Sequence, residues 1–337
     1  MMTEKHLLEV KNLSTGFDIN GKNYNAISKV SLTLKRGEVM GIVGESGSGK
    51  SVLSMSILRL LPDKIGSINE GEVYYKDKRI DNIPMTELNQ IRGNELAIIF
   101  QEPMTSLNPV FTIGNQLIEM MVLHLKISKK EAESRAIELL KQVGIPRADK
   151  VIHEYPHQLS GGMRQRVMIA MAISCAPELL IADEPTTALD VTVQAQILEL
   201  LKKIQSETNM GIIFISHDLG VISEICDTVA VMYAGKIVER APVSDIFNAP
   251  KHPYTKLLLK AIPRLDQKQD RLETIKGSVP NLDELPEVGC SFANRCPYAM
   301  SSCTAVNLKT SVINTSHKVS CHLYDEAVMR KEGKVNV

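Results

Sequence analysis

Four short stretches carry residue types able to do chemistry. The first is "GESGSGKS", residues 44–51, in which glycines alternate with small polar residues and end in Lys-Ser. Glycines at this spacing let the backbone curl so that its N–H groups face an anion, and a following helix adds its positive N-terminal end. Lys50 is then placed to reach the outer phosphates of a nucleotide, and Ser51 to ligate Mg²⁺. The second, "ELLIADE" (178–184), is an apolar run ending in two carboxylates, Asp183 and Glu184. A carboxylate at a strand end can hold a Mg²⁺ shell, and its neighbour can polarise a water. The third, "LSGGMRQRVMIAMAI" (159–173), puts Ser160, Gly161 and Gly162 at the start of an apolar-periodic helix that has no phosphate-binding lysine of its own. It reads as a second anion site, acting on a partner's nucleotide. The fourth is a group of four cysteines, Cys290, Cys296, Cys303 and Cys321, in the last 50 residues.

These residues need elements to position them. "VMGIV" (39–43), "LAIIF" (96–100), "LLIA" (179–182) and "GIIFI" (211–215) are continuous apolar runs of strand length. Such runs suit a parallel sheet covered on both faces. "VAVMYAGKIVER" (229–240) alternates around Ala234-Gly235 and predicts a hairpin. Between about 102 and 160 the pattern turns helical. Ser128 and Glu131 have capping-box spacing, Ala132, Ala136, Leu139, Leu140 and Val143 form one apolar face, and Gly144 and Pro146 end it. After Pro250 prolines and charges predict an irregular tail.

Bulk properties narrow the class. Hydrophobic residues make up 44% of 337, enough for a sizeable core, and 39 basic residues balance 39 acidic ones. Nothing in that balance points to nucleic acid. The N-terminal residues lack signal-peptide character, and no apolar run approaches the roughly 20 residues of a membrane span. The expectation is a cytosolic protein able to dock on a membrane protein.

Taken together, the motifs resemble the ATPase subunits of ABC transporters over residues 1 to about 250. By that resemblance, Gly44, Glu45, Ser46, Gly47, Ser48, Gly49, Lys50, Ser51 and Val52 form the phosphate loop and its exit. Gln101 matches the Q-loop and is expected to coordinate either Mg²⁺, with Ser51, or the attacking water. Ser160, Gly161 and Gly162 match the signature motif. Asp183 and Glu184 match the Walker B carboxylate and catalytic glutamate, Ala188-Leu189-Asp190 the D-loop, and His217 in "ISHD" the switch histidine. Phe17 is the expected adenine-stacking ring, with Tyr24 its competitor. The implied fold is α/β: a P-loop NTPase (RecA-like) ABC nucleotide-binding domain over 1–250, with a helical subdomain at about 102–165. A small irregular Cys-rich C-terminal domain is expected over 251–337.

"QEPMTSLNPVFTIGNQL" (101–117) and "KHPYTKLLLKAIP" (251–263) resemble the dipeptide, oligopeptide and nickel importers of this family. The resemblance implies an ATP-hydrolysing subunit of a peptide importer at the cytoplasmic face of the membrane. Its partners would be a second related or identical ATPase, two membrane-embedded permease subunits and, indirectly, an external solute-binding protein. A nickel-chelate importer and a soluble non-transport ABC ATPase are the alternatives. In a reducing compartment four cysteines spaced x5, x6 and x17 suggest a metal or cluster site rather than disulfides. Some dipeptide-importer ATPases bind a [4Fe–4S] cluster through a similar tail, which carries that reading to these four residues. Zinc and free thiols are the alternatives, with His317 and His322 as substitute ligands.

Overall fold

The computed structural model describes residues 6–101, 106–187, 189–261 and 275–331. The quoted residues 102–105 and 262–263, and Ala188 of the expected D-loop, lie outside them. The chain divides into two compact units that interleave along the sequence.

The first unit comprises residues 1–8, 34–39 and 75–215. It holds three parallel strands, β6 (Leu96–Ile99), β7 (Leu179–Asp183) and β8 (Gly211–Ile215), in that spatial order. The register aligns Leu96 with Leu179 and Leu179 with Gly211. Every residue of β7 and β8 is buried, as expected for continuous apolar strands covered on both faces. The helical stretch consists of α3 (Ile113–Leu125), α4 (Lys129–Gln142) and α5 (Ala148–Val151), after α2 (Met85–Ile91). In α4 the Ser128 hydroxyl accepts from the Glu131 N–H at 3.2 Å, while the Glu131 carboxylate turns to Arg135 four residues on. Ala132, Ala136 and Leu140 are its buried face. Two more helices follow, α6 (Gly161–Ile173) and α7 (Val191–Thr208), capped by the side chains of Ser160 and Asp190.

The second unit comprises residues 9–33, 40–74 and 216–337. Its strands β1 (Leu8–Ile19), β2 (Lys22–Leu34) and β4 (Gly66–Tyr75) run in the order β2-β1-β4. A second run is ordered β3-β9-β10-β12-β11. Here β3 (Val39–Val43) pairs in parallel with β9 (Thr228–Tyr233), Met40 opposite Thr228. The hairpin to β10 (Lys236–Pro242) turns through Ala234 and Gly235, both at positive φ, the geometry of a two-residue turn. Helix α1 (Lys50–Ile57) leaves the phosphate loop, α8 (Leu219–Ile225) follows β8 in sequence, and α9 (Val243–Asn248) and α10 (Pro253–Lys260) follow β10. The tail is irregular, as the sequence predicts. It is tied to β10 through the short strands β11 (Ser311–Val312) and β12 (Lys318–Val319), with Glu239 opposite Val319.

Candidate active site

In the second unit, β3 delivers the chain into the loop 44–51 and α1 receives it. Two glycines are required by the backbone. Gly49 caps α1 at φ 99°, where an added Cβ would lie 3.0 Å from the Ala26 carbonyl oxygen. A Cβ on Gly44 would come within 2.2 Å of the Met232 carbonyl oxygen. The Lys50 side chain is buried, and its ammonium donates to the carbonyls of Gly44 at 2.8 Å and Glu45 at 3.1 Å. The loop therefore wraps its own cation. Ser46 and Gly47 at the crest are exposed, and Ser51 and Val52 at the helix entry are half-buried. A curled backbone, a fixed ammonium and a helix start are the chemistry that a polyphosphate requires.

Three other predicted residues share this unit. The Ser216 N–H donates to the Ile42 carbonyl at 3.2 Å. His217 is thereby set beside the carboxyl end of the strand that feeds the loop, where its side chain is exposed. Asp218, next in sequence, caps α8. Phe17 and Tyr24 are half-buried on β1 and β2, with the Lys22 ammonium 4.8 Å from the Tyr24 ring.

The first unit holds the residues that the sequence predicts for hydrolysis. Asp183 is buried at the end of β7. Glu184, one residue on, takes a left-handed backbone (φ 48°), with its N–H held by the Ile215 carbonyl at 3.0 Å. A non-glycine residue at positive φ is strained, and such strain collects at functional sites. The Glu184 Oε2 accepts from Gln101 Nε2 at 3.0 Å and from Thr187 Oγ1 at 2.9 Å. Gln101 and Glu184, 83 residues apart, are thus brought together. The Thr187 contact had no signal in the sequence. At the start of α6 the Ser160 hydroxyl accepts from the Met163 N–H, and an added Cβ on Gly161 would meet nothing within 4 Å. That helix start is open to a second molecule.

The tail supplies contacts the sequence gave no sign of. His252 caps α10 through Nδ1, which accepts from the Tyr254 N–H at 3.1 Å, and Pro253 occupies the first helical position, where its missing N–H costs nothing. Burial pushes the His252 imidazole down to about 3, so it is neutral and able to accept. Tyr254, fully buried, presents its hydroxyl to the Glu45 N–H at 2.9 Å. "HPY" is therefore a cap, a helix start and an arm to the phosphate loop. Arg295 makes a two-pronged ion pair with the Glu45 carboxylate at 2.7 and 3.0 Å. The backbone N–H and the carboxylate of Glu45 are thus both engaged by the tail.

Cys290, Cys296, Cys303 and Cys321 line one small pocket together with His252, Phe292 and His322. None is in a disulfide. Burial raises all three of the Cys290, Cys296 and Cys321 thiols, Cys296 to about 11 and Cys321 to about 12, with neighbouring thiols adding to the shift. Thiols that face each other in an apolar pocket stay protonated unless a cation is present. Among the described residues, no group of three or more His, Cys, Asp or Glu side chains has the geometry to hold a metal ion. His317 is not a substitute ligand: its Nε2 is committed to the buried Glu239 carboxylate at 2.8 Å. His322 does line the pocket, with Nε2 bonded to the Val306 carbonyl.

Residues 27–187 match the family model for the ABC transporter, and residues 238–303 match that for the oligopeptide/dipeptide transporter C-terminal region. The chain is 52% identical over 320 residues to the oligopeptide transport ATP-binding protein AppD of Bacillus subtilis (strain 168), covering 95% of this chain and 97% of that protein. It belongs to the ABC transporter ATPase family. The dipeptide transport ATP-binding protein DppD of the same organism is 48% identical, with 95% of each chain covered. Among solved structures, the dimeric ATP-binding cassette MJ0796 in a post-hydrolysis state with ADP and Pi superposes with a TM-score of 0.63. It is 30% identical, covering 70% of this chain and 98% of that one. The chain is accordingly an ATPase of the P-loop α/β fold, and its family binds ATP with Mg²⁺. Among the described residues, no helix is long and apolar enough to cross a membrane.

Proposed function

We propose that this chain is the ATP-hydrolysing subunit of a membrane importer for dipeptides or oligopeptides. The observation that carries the reading is the peptide-transporter C-terminal region at 238–303, joined in one chain to the cassette. The naming of AppD and DppD as peptide-transport ATPases agrees with it. In this reading the loop 44–51 holds the phosphates, Lys50 and Ser51 serve the outer phosphates and Mg²⁺, and Phe17 stacks on the base. Asp183 and Gln101 complete the Mg²⁺ shell. Glu184 orients and deprotonates the attacking water, and His217 senses the outer phosphate. Mg²⁺ would neutralise charge on the transferring phosphoryl group. The open start of α6, at Ser160 to Gly162, serves the nucleotide of a second ATPase subunit. Nucleotide drives the dimer's closure only through its higher affinity for the closed state. Two permease subunits receive that motion at the cytoplasmic face, and an external binding protein delivers the solute. ATP-dependent uptake of a labelled dipeptide or oligopeptide by proteoliposomes holding the full complex tests the proposal. Uptake of a nickel chelate but of no peptide would overturn the peptide assignment.

The tail reading is [4Fe–4S] binding by Cys290, Cys296, Cys303 and Cys321. What speaks for it is the tail resemblance and four cysteines outside disulfides lining one small pocket, residue types suited to iron–sulfur or zinc; against it, no group of three or more of the described His, Cys, Asp and Glu side chains has metal-holding geometry. Iron, sulfide and zinc content of protein purified without oxygen decides between them. The absence of iron would overturn the cluster, and zinc in its place would install the alternative.

A further inference from the structure

Glu45 poses an electrostatic problem. It puts a carboxylate in the loop read here as the phosphate site, where a polyanion must bind. The residue that answers it lies 250 positions downstream in sequence. Arg295 is almost wholly buried, and its guanidinium spends its donors in a defined way. Nη1 and Nη2 grip the two Glu45 oxygens, Nε donates to the Lys276 carbonyl at 2.8 Å, and Nη2 also reaches the Gly277 carbonyl at 3.1 Å. Its Cζ lies over the rings of Tyr233 and Phe292, 5.6 and 6.0 Å from their centroids. A mobile lysine would keep the charge but not the two-pronged grip of an arginine fork on a carboxylate.

The grip has a second arm. Tyr254 holds the Glu45 N–H, the Tyr233 ring packs edge to face with Tyr254 and Phe292 at 4.7 and 5.1 Å between centroids, and Tyr254 and Phe292 meet tilted at 5.3 Å. Phe292 and His252 also line the cysteine pocket, and Arg295 directly precedes Cys296. A continuous set of packed groups therefore runs from the thiols to the phosphate loop.

We infer that Arg295 is a positioning residue for nucleotide binding: with Tyr254 it neutralises and holds Glu45, and so couples the phosphate loop to the cysteine pocket of the tail. The inference rests on reading 44–51 as the phosphate loop. Coupling of this kind is reciprocal, so nucleotide must act on the tail as the tail acts on nucleotide.

The test measures MgATP affinity in the intact protein. Arg295→Ala should raise Kd about tenfold, the loss expected when one charge-assisted contact goes. Arg295→Lys should recover part of it. Adding Glu45→Gln to Arg295→Ala should bring Kd back toward the wild-type value, because the uncompensated carboxylate is gone. A merely structural Arg295 would give no such rescue, and that result would overturn the inference, as would an unchanged Kd in Arg295→Ala. If Arg295→Ala does not fold, the same comparison is made with Arg295→Lys and its Glu45→Gln partner. Hydrogen exchange over residues 289–297 reads the reciprocal arm. ATPγS should slow it in the wild type and not in Arg295→Ala; equal exchange with and without ATPγS in the wild type would refute the coupling. Lys50→Ala separates the premises: if it too leaves Kd unchanged, the phosphate-loop reading has failed instead.

Discussion

Replacing Glu184 by Gln perturbs the proposed chemistry while sparing the fold. The Glu184 Oε2 accepts two bonds, from Gln101 at 3.0 Å and Thr187 at 2.9 Å. A glutamine carbonyl oxygen can accept both, and its amide is nearly the same size. Net hydrogen bonds are worth about 1 kcal/mol each, so the stability change should stay within about 1 kcal/mol. The backbone at φ 48° is no more strained for Gln than for Glu. What disappears is the base. Positioned general bases contribute roughly 10²- to 10⁴-fold, or about 3–5 kcal/mol of barrier. The assay is phosphate release at saturating MgATP, beside nucleotide affinity and thermal unfolding of the same sample. The expected result is unchanged affinity and unfolding, with turnover reduced at least a hundredfold on that same scale. Hydrolysis at the wild-type rate would refute the role of Glu184. Lost affinity with lost turnover would refute the claim that the substitution touches chemistry alone.

Two further outcomes test other parts of the site. Buried His252 has its imidazole pushed down to about 3 from an ordinary 6.5. Below pH 6.5 the unfolded chain takes up a proton that the folded one refuses, so stability falls as pH drops toward 3, by at most about 1.4 kcal/mol per pH unit from this group. Denaturant unfolding at pH 7 and pH 5.5 should show a smaller pH loss in His252→Asn than in the wild type; equal losses would contradict the assignment. At the open start of α6, Gly161→Asp meets no steric obstacle. A carboxylate facing a partner's phosphates costs on the order of several kcal/mol. Binding of ATP should survive in the isolated chain while hydrolysis by the assembled complex is strongly reduced, and full hydrolysis would remove the signature role.

Much of this was legible because local pattern and chemistry coincide. A buried strand, a glycine loop and an apolar-periodic helix in sequence are enough to place Lys50, and α4 follows from Ser128 and its alanine face. The strands β1, β2 and β4, which share a sheet, have no clear signal in the sequence. Their buried positions include Ser14 and Thr15, satisfied by the Lys29 N–H and the Ser56 hydroxyl, so no clean apolar alternation marks them. Tyr254 and Arg295 escaped for a different reason. Their partner is more than 200 residues away, and no periodicity records so distant a contact. "HPY" was recognised as a string, and only the fold gives it a physical reason. The four cysteines line one pocket, yet among the described residues no group of three or more His, Cys, Asp or Glu side chains has the metal-holding geometry that their spacing predicts, and His317 is occupied by the buried Glu239.

ATP binding by this chain depends most directly on the loop 44–51. Titration calorimetry of MgATP into the purified chain and into Lys50→Ala measures it. The ammonium held by the Gly44 and Glu45 carbonyls is the charge removed. One binding site per chain is expected, with Kd raised about 10- to 150-fold in the variant, the value of a hydrogen bond to a charged group. Equal affinities in the two proteins would contradict the central claim that this loop is where ATP is held.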